Sequence, residues 1–321
     1  MSLRVGLVGA GSIAQIAELP ALVALSGVQV AGVVTATPES AARNLRRWPI
    51  ERAYDSVEQM IDGARLDALF VLTPKQDHTR FVEAGLRARL DVFCEKPLST
   101  SLAEAQRLAA LADQSGRLLM VGFNRRYAEV YRRARAVFEA GQPSFCVAQK
   151  NRRGSEYRAT LENAIHMIDL LRWFCGEPES VTAHSVATDA YAEDGTMALI
   201  RFESGPVGVL VAARNAGEWD ERFDAYGGST SVRVLAPDSV SISRDGVTRL
   251  VEMRPLAFGW AQATETMGFA PEVRHFFECV RERRQPLTNG MEAVRTQQLV
   301  QRVLEAAGLP LTDAPERIVG A

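Results

Sequence analysis

The feature that most constrains the fold is a glycine-rich turn at residues 9–14, with the sequence Gly-Ala-Gly-Ser-Ile-Ala. It directly follows an apolar, strand-like run, Leu3–Val8, and it opens a helix-spaced segment, Ile13–Leu25. A dinucleotide-binding turn needs one glycine for the tight turn, a second where the backbone approaches a pyrophosphate, and a small third residue where helix meets strand. Free N–H groups at the start of the helix then face the phosphates. The alternative is a purely structural tight turn.

Strand-like and helix-like segments alternate over residues 1–122. Strands separated by helices of this length indicate βαβ units, and therefore a doubly wound parallel sheet covered by helices on both faces. The further predicted strands are Val28–Val34, Asp67–Leu72, Asp91–Cys94 and Leu118–Gly122, and the helices are Pro38–Arg47, His78–Arg89 and Leu102–Ser115.

The rhythm changes after residue 122, where most segments are strands joined by short turns. This predicts an α+β domain over residues 123–321 with a large open mixed or antiparallel sheet. A length of 321 residues agrees with two domains. The predicted helices are Tyr127–Ala140, Leu161–Phe174, Glu272–Arg283 and Glu292–Ala307, and the strands are Phe145–Lys150, Val181–Thr188, Thr196–Phe202, Val207–Ala213, Arg222–Tyr226, Ser231–Leu235 and Arg249–Met253.

Composition excludes several classes of protein. The chain has 37 Lys and Arg against 39 Asp and Glu, so a net charge of −2 provides no basic footprint for nucleic acid. No apolar run of about 18 residues is long enough to span a membrane. The first residues lack the pattern of a secretory signal, so a cytoplasmic location is expected. The four cysteines have no metal or redox spacing, and we expect them to be small buried hydrophobic residues: Cys94, Cys146, Cys175 and Cys279.

The end of the second strand bears on the choice between NAD and NADP. A preference for NAD usually goes with an acidic residue here, which accepts a hydrogen bond from the ribose 2′-hydroxyl. The strand Val28–Val34 is followed instead by Thr35. Arg43, Arg46 and Arg47 on the next helix are a source of positive charge for a 2′-phosphate. We therefore predict a slight preference for NADP, the alternative being that these arginines form a solvated helix face.

A lysine stands where the strand Asp91–Cys94 ends, in the sequence Glu95-Lys96-Pro97. Ligands of such sheets bind at the carboxyl ends of the strands. Lys96 is therefore a candidate for contact with a substrate on the nicotinamide side, with an ordinary turn as the alternative.

A histidine is flanked by two acidic residues on one helical stripe. Glu162, His166 and Asp169 are spaced i, i+4 and i+7 in the predicted helix Leu161–Phe174. Oxidation of a carbinol needs a base for the hydroxyl proton, and histidine titrates near neutral pH. The alternative is a histidine satisfied within the core or at the surface.

Together these motifs resemble the Gfo/Idh/MocA oxidoreductase family, in family order and over essentially the whole chain. Three segments are most similar to the branch that includes MviM, a protein labelled a virulence factor: 12–15, 122–127 and 275–280. The motifs that carry the family resemblance are the turn at 9–14, Thr73-Pro74 with His78, Glu95-Lys96-Pro97, the run 122–126, and the segment Glu162–Asp169.

The resemblance implies an N-terminal Rossmann domain, a nicotinamide cofactor, a sugar, inositol or related polyol as substrate, and pairing of sheets into homodimers or homotetramers. By the same resemblance Lys96 polarises the reacting oxygen, His166 is the acid or base, and the Lys96–Pro97 bond is cis. The other residues implied in cofactor binding are Gly9, Gly11, Ser12, Ile13, Thr35, Thr73, Pro74, His78, Glu95 and Pro97, and those implied in substrate binding are Asn124, Arg125, Arg126 and Asp169.

The chain departs from the family pattern at two places. Glu162 stands where the family commonly has Asp, and residues 157–160 replace a frequent Gly-Gly pair. The longer Glu162 either pairs with His166 or points elsewhere. A basic linker is the alternative role for Arg125 and Arg126. The predicted function is an NAD(P)-dependent dehydrogenase without a metal. The alternatives are a non-catalytic dinucleotide-binding regulator or redox sensor, and glycoside cleavage through transient oxidation by tightly held NAD.

Overall fold

A computed structural model describes residues 2–138, 141–154, 158–189, 191–253 and 263–312. The chain divides into two compact units. The first comprises residues 1–128 with 260–295, and the second comprises residues 129–259 with 296–321. The domain boundary between residues 122 and 123 stays a prediction.

The first unit contains a six-stranded parallel sheet. Its strand order, β3-β2-β1-β4-β5-β6, is that of a doubly wound dinucleotide-binding fold, and the predicted fold class is confirmed. The chain order reverses between β1 and β4, where such sheets bind their ligands. The elements are β1 Leu3–Val8, α1 Leu19–Val23, β2 Val28–Val34, α2 Pro38–Arg47, β3 Ala53–Tyr54, α3 Val57–Ala64, β4 Ala68–Val71, α4 His78–Arg87, β5 Asp91–Glu95, α5 Leu102–Ser115 and β6 Leu119–Gly122.

Side-chain caps explain why helix boundaries here are readable in the sequence. The Thr37 hydroxyl accepts from the Ser40 N–H at the start of α2, and the Ser101 hydroxyl accepts from the Glu104 N–H at the start of α5. Gly116 ends α5 with φ of +65°, a conformation that glycine adopts without strain. Both helices have the predicted bounds, whereas β3 and α3 were not predicted.

The second unit contains an eight-stranded mixed sheet, as the sequence predicted. Its order is β14-β13-β12-β11-β7-β10-β9-β8, and β7 with β10 is its parallel pair. Strand β13 was not predicted, although Val240 and Ile242 alternate with its serines. The elements are α6 Glu129–Ala136, β7 Phe145–Asn151, α7 Ile165–Cys175, β8 Pro178–Asp189, β9 Ala192–Phe202, β10 Val207–Ala213, β11 Asp220–Gly227, β12 Thr230–Leu235, β13 Ser239–Arg244 and β14 Val247–Glu252.

Three helices follow β14 along the chain: α8 Ala263–Thr266, α9 Phe269–Glu282 and α10 Gly290–Ala306. Within the first unit, α9 packs against α1. Its Phe276 ring meets the ring of Phe70 on β4 edge-on, with centroids 5.3 Å apart. Aromatic pairs of this kind add to the stabilisation from apolar burial.

Three predicted helices differ from the structure. The predicted helix Ile13–Leu25 begins as a π-helical turn, Ala14–Glu18, and continues as α1. The region predicted as one helix over Tyr127–Ala140 is a 3₁₀ turn, Asn124–Tyr127, followed by α6, and Ala140 lies outside the described residues. The predicted helix Leu161–Phe174 begins as a π-helical turn, Ala159–Asn163, and continues as α7.

All four cysteines are buried free thiols, as predicted for small hydrophobic residues. Cys146 and Cys175 lie side by side between β7 and α7, with their Sγ atoms 3.5 Å apart. Among the described residues, no helix is long and apolar enough to cross a membrane.

Candidate active site

The glycine-rich turn joins the carboxyl ends of three neighbouring strands. The Gly9 N–H donates to the Val34 carbonyl at 2.9 Å, and Gly9 has φ of +87°. A Cβ at Gly9 would lie 2.7 Å from the Leu72 carbonyl oxygen, so only glycine fits. A Cβ at Gly11 would meet no heavy atom within 4 Å. The backbone at Gly11 is therefore open to a ligand, as a pyrophosphate site requires.

A cavity of about 650 Å³ opens beside this turn. Five of the predicted cofactor residues line it: Gly9, Gly11, Thr35, Thr73 and Pro74. Ser12 is exposed at the start of the helix that follows the turn. Ile13 is half-buried beside it. The size and position of the cavity fit the adenosine and pyrophosphate part of a dinucleotide.

The three arginines of α2 have different surroundings. Arg43 lines the cavity together with Ser40 and Thr35. Arg46 is exposed on the same helix and is not among the lining residues, and the Arg47 guanidinium lies over the Trp48 ring at 5.2 Å. Three acidic side chains, Asp55, Glu58 and Asp77, also line the cavity. Positive charge near Thr35 therefore comes from Arg43 alone among these three arginines.

His78 is buried, and its ring joins two backbone segments of the predicted site. Its Nδ1 lies 2.7 Å from the Pro97 carbonyl oxygen, and its Nε2 lies 2.9 Å from the Thr73 carbonyl oxygen. The Lys96–Pro97 bond is cis, as predicted. These contacts hold the Thr73 loop beside the turn that carries Lys96. His78 therefore bears on the predicted cofactor site indirectly, by fixing the backbone at Thr73 and Pro97.

Glu95 and Glu18 form a buried pair of carboxyl groups at the end of β5. The Lys96 N–H donates to Glu95 Oε2 at 3.1 Å. Burial raises the pKa of Glu95, while the charges of Lys96 and Arg125 oppose that rise. Glu18 is fully buried, and neither of its carboxyl oxygens has a hydrogen-bond partner in the described part of the chain. Burial, and then the charge of Glu95, raise the pKa of Glu18 well above 4.5, so Glu18 is the neutral member.

Replacing Glu18 by glutamine is expected to stabilise the protein increasingly as the pH rises. Because the folded-state pKa of Glu18 lies above its unfolded value, the wild type loses stability from about pH 4.5 upward, through the folded pKa. Glutamine keeps the shape of the neutral acid and removes that loss. Urea unfolding at several pH values measures the difference, which should be small in acid and grow toward alkaline pH.

Glu83→Gln is the control, because the contribution of Glu83 to stability has the opposite pH dependence. Hydrogen bonds from Arg107 and Arg87 lower the pKa of Glu83 to about 2. Its contribution to stability is therefore present above the unfolded pKa and is lost as the pH falls toward 2. A pH-independent effect of Glu18→Gln would contradict a neutral buried Glu18.

Asn124, Arg125 and Arg126 are all buried in the 3₁₀ turn after β6. The Asn124 amide donates to the Met267 carbonyl at 2.9 Å, and Arg126 pairs with Glu292 at 3.1 Å. Arg125 lies close enough to Glu95 for its charge to lower that carboxyl's pKa. Asn124 thus binds the backbone just after α8, and Arg126 binds the start of α10. The substrate contacts predicted for this turn stay a prediction.

In the second unit, Glu162 lies in the π-helical turn, and His166 and Asp169 lie on α7. Glu162 Oε2 accepts from the Arg158 N–H at 3.1 Å, so the longer side chain reaches back to the start of the turn. His166 is 7% exposed, and Asp169 Oδ1 accepts from the Thr296 hydroxyl at 2.8 Å. The predicted stripe is altered because the π-helical turn changes the rotation per residue before α7.

Glu18 and Glu193 are two of the buried acids that were missed in the sequence. Glu18 had a detectable signal, since it falls at apolar helical spacing between Ala14 and Leu22. Glu193 on β9 had none, because its partners, Arg158 and Thr160, are remote in sequence.

The strand order, the glycine turn and the adjoining cavity define a dinucleotide-binding Rossmann domain. Two family models match the chain: the oxidoreductase family with NAD-binding Rossmann fold over residues 3–123, and the GFO/IDH/MocA C-terminal domain over residues 131–233. The chain belongs to the GFO/IDH/MocA family of oxidoreductases. The predicted family and enzyme class are thereby confirmed.

Several named proteins are similar to the chain along most of its length. YceM of Salmonella typhimurium, which bears the name of an oxidoreductase, is 31% identical over 95% of this chain and 97% of its own. An inositol 2-dehydrogenase of Rhizobium meliloti is 26% identical over 99% and 97%. The solved structure of the dehydrogenase MviM from Clostridium difficile has a TM-score of 0.86 at 21% identity, covering 96% of this chain and all of its own.

Proposed function

We propose that the protein is an NAD(P)-dependent dehydrogenase that transfers a hydride between nicotinamide and a carbon of a sugar, inositol or related polyol. One observation carries the proposal: Lys96 stands at the carboxyl end of β5, next to β4, whose end lines the cavity of the glycine turn. Family membership supports the reaction class. The inositol 2-dehydrogenase among the relatives supports the substrate class.

Cofactor binding in this proposal begins at the glycine turn. The N–H groups of residues 11–13 hold the pyrophosphate, Gly9 shapes the turn, and Thr35 faces the ribose of the adenosine. Thr73 and Pro74 border the other ribose, with His78 fixing their backbone. Glu95, Lys96 and Pro97 border the nicotinamide, which supplies the hydride acceptor or donor when bound.

Substrate chemistry in this proposal belongs to a lysine and a histidine. The Lys96 ammonium polarises the reacting hydroxyl or carbonyl oxygen, because a positive charge stabilises the oxyanion that develops there. His166 removes or returns the hydroxyl proton, and Glu162 and Asp169 orient the segment around it. Arg125 binds a polar group of the substrate from the turn after β6.

NADP is the proposed coenzyme, because Arg43 lines the cavity beside Thr35 and Ser40. Arg43→Ala is expected to weaken NADPH binding about tenfold or more, and NADH binding little, since one charge-assisted bond to the 2′-phosphate is lost. Fluorescence titration with each coenzyme measures this. Arg46→Ala is the matched control, because Arg46 is exposed on the same helix outside the cavity lining. Tighter binding of NADH than NADPH by the wild type would reject the preference.

A homodimer or homotetramer is proposed to form through the outer face of the eight-stranded sheet. Met197 and Leu199 on β9 are 58% and 51% exposed, and both are directly opposite valines of β10. Phe145 on β7 is exposed on the same face, 58%. A contiguous apolar patch of this kind favours a self-complementary contact between copies.

The double variant Met197→Glu/Leu199→Glu is expected to be monomeric, because charges on this face oppose its burial. Sedimentation equilibrium measures the mass, with Leu45→Glu on α2 as a control for a partly exposed leucine elsewhere. A wild type that is monomeric at all concentrations would contradict the proposal. The cytoplasmic location stays a prediction.

Turnover is tested with a panel of myo-inositol, hexoses, pentoses and nucleotide sugars, each with NAD⁺ and NADP⁺. We expect at least one polyol to increase the absorbance of reduced nicotinamide. Tight coenzyme binding with no turnover on any compound would favour the regulator or sensor over the dehydrogenase.

A further inference from the structure

The segment that carries Glu162 and His166 is anchored at its first residues by a buried carboxylate. Glu193 on β9 is fully buried, and its Oε1 accepts from the Thr160 N–H at 2.9 Å. Its Oε2 accepts from Arg158 Nε, also at 2.9 Å. Both oxygens of this acid are thus used to hold the beginning of the π-helical turn.

Arg158 connects this anchor to the last described part of the chain. Its Nη1 donates to the Thr312 carbonyl at 2.8 Å, and its Nη2 donates to the Pro310 carbonyl at 3.0 Å. All three guanidinium nitrogens therefore donate hydrogen bonds, and the residue is 4% exposed. A lysine in this place has one point charge and no planar fork, so it cannot reproduce the set.

The other end of the π-helical turn is held by β7. The Asn163 amide nitrogen donates to the Lys150 carbonyl at 3.1 Å, and its oxygen accepts from Arg152 Nε at 3.2 Å. Glu162 lies between these anchors, and its carboxylate accepts from the Arg158 N–H. Glu162, and His166 four residues later, therefore follow directly on the segment that Arg158 and Glu193 hold.

We propose that Arg158, Glu193 and the carbonyls of Pro310 and Thr312 form a clamp that positions the acid–base histidine, with residues 310–312 acting as its strap. Arg158 is a positioning residue in this proposal, because it acts through the backbone and Glu162. The proposal rests on the proposed function of His166. It adds that the end of the described chain takes part in setting the active-site helix.

The test follows His166 in the whole protein by nuclear magnetic resonance, with ¹³C label in the imidazole rings. The chain has four histidines, so the His166 signal is assigned by its loss in His166→Asn. Arg158→Lys is expected to move the ¹³C resonances of the His166 ring, while the signals of the other three histidines stay in place. It is also expected to lower kcat about 10- to 100-fold, with the coenzyme KM unchanged.

Two pairs of variants isolate the clamp. Ending the chain after Leu309 removes both carbonyls of the strap without altering Arg158, whereas ending it after Thr312 keeps them. Only the shorter chain should shift His166. Arg302→Lys is the control for Arg158→Lys, because Arg302 also donates to two backbone carbonyls of the second unit, those of Pro178 and Glu179.

A shift of His166 in Arg158→Lys and in the shorter chain, with a lower kcat, supports the clamp. An unmoved His166 in folded Arg158→Lys, or equal spectra for the two truncated chains, overturns it. If Arg158→Lys does not fold, the truncated pair decides. The resonance measurement needs no substrate, so it tests the clamp independently of catalysis. Full turnover by His166→Asn would separately show that His166 is not the acid or base.

Discussion

Lys96→Met is expected to lower kcat by about 10²- to 10³-fold, while the affinity for NADPH changes little. Methionine keeps the length and apolar stem of lysine and removes the charge that stabilises the developing oxyanion. His166→Asn is expected to lower kcat by about 10²- to 10⁴-fold, as for the loss of a general acid or base. Steady-state kinetics with the substrate found in the panel measures both variants, and fluorescence titration measures coenzyme binding.

The control for His166→Asn is His184→Asn, since His184 is an exposed histidine of β8. It should retain the wild-type rate. Equal turnover by His166→Asn and the wild type would remove the acid–base role of His166. A rate loss caused only by weaker coenzyme binding would instead place Lys96 in the cofactor site rather than in the chemistry.

Gly11→Val is expected to weaken coenzyme binding by about 100-fold or more while leaving the fold intact, because its side chain occupies space that the pyrophosphate needs. No heavy atom lies within 4 Å of a Cβ at Gly11, so the protein itself accommodates the new side chain. Coenzyme titration and urea unfolding of the same preparation separate the two effects.

Gly9→Ala is the matched variant with the opposite outcome. It combines φ of +87° with a Cβ 2.7 Å from the Leu72 carbonyl oxygen, so we expect a loss of about 2 kcal/mol or more in the free energy of unfolding. Equal destabilisation by Gly9→Ala and Gly11→Val would contradict the assignment of Gly11 to the ligand side of the turn.

Local signals explain how much of the fold was predictable. The caps of α2 and α5 and the glycine after α5 are short-range features, and those helices have the predicted bounds. Strand β3 has two residues, too few for a period to be recognised. Strand β13 alternates only two apolar residues, Val240 and Ile242, with serines, and its backbone pairing with β12 establishes it. Pairing between strands therefore decided what the sequence pattern left open.

The candidate site likewise has parts that could be predicted from the sequence and parts that could not. The glycine turn and the Glu95-Lys96-Pro97 turn were predictable, since each is a local motif at the end of a strand. The difference between Arg43 and Arg46 was not predictable, because both are exposed on α2 and only the tertiary structure shows that Arg43 lines the cavity. The contacts of Glu193 were equally hidden, since its partners are about 33 to 35 residues away in the chain.

The two π-helical turns, Ala14–Glu18 and Ala159–Asn163, have an evolutionary consequence. Such a turn arises when one residue is inserted into an α-helix, and deleting one residue restores the regular helix. Because the wider turn takes up that extra residue, the helical faces before and after it keep their relative orientation. Loss of a single codon at either turn is therefore expected to leave both flanking faces in place, whereas loss of a codon within the regular helix α7 would turn the preceding side chains by about 100°.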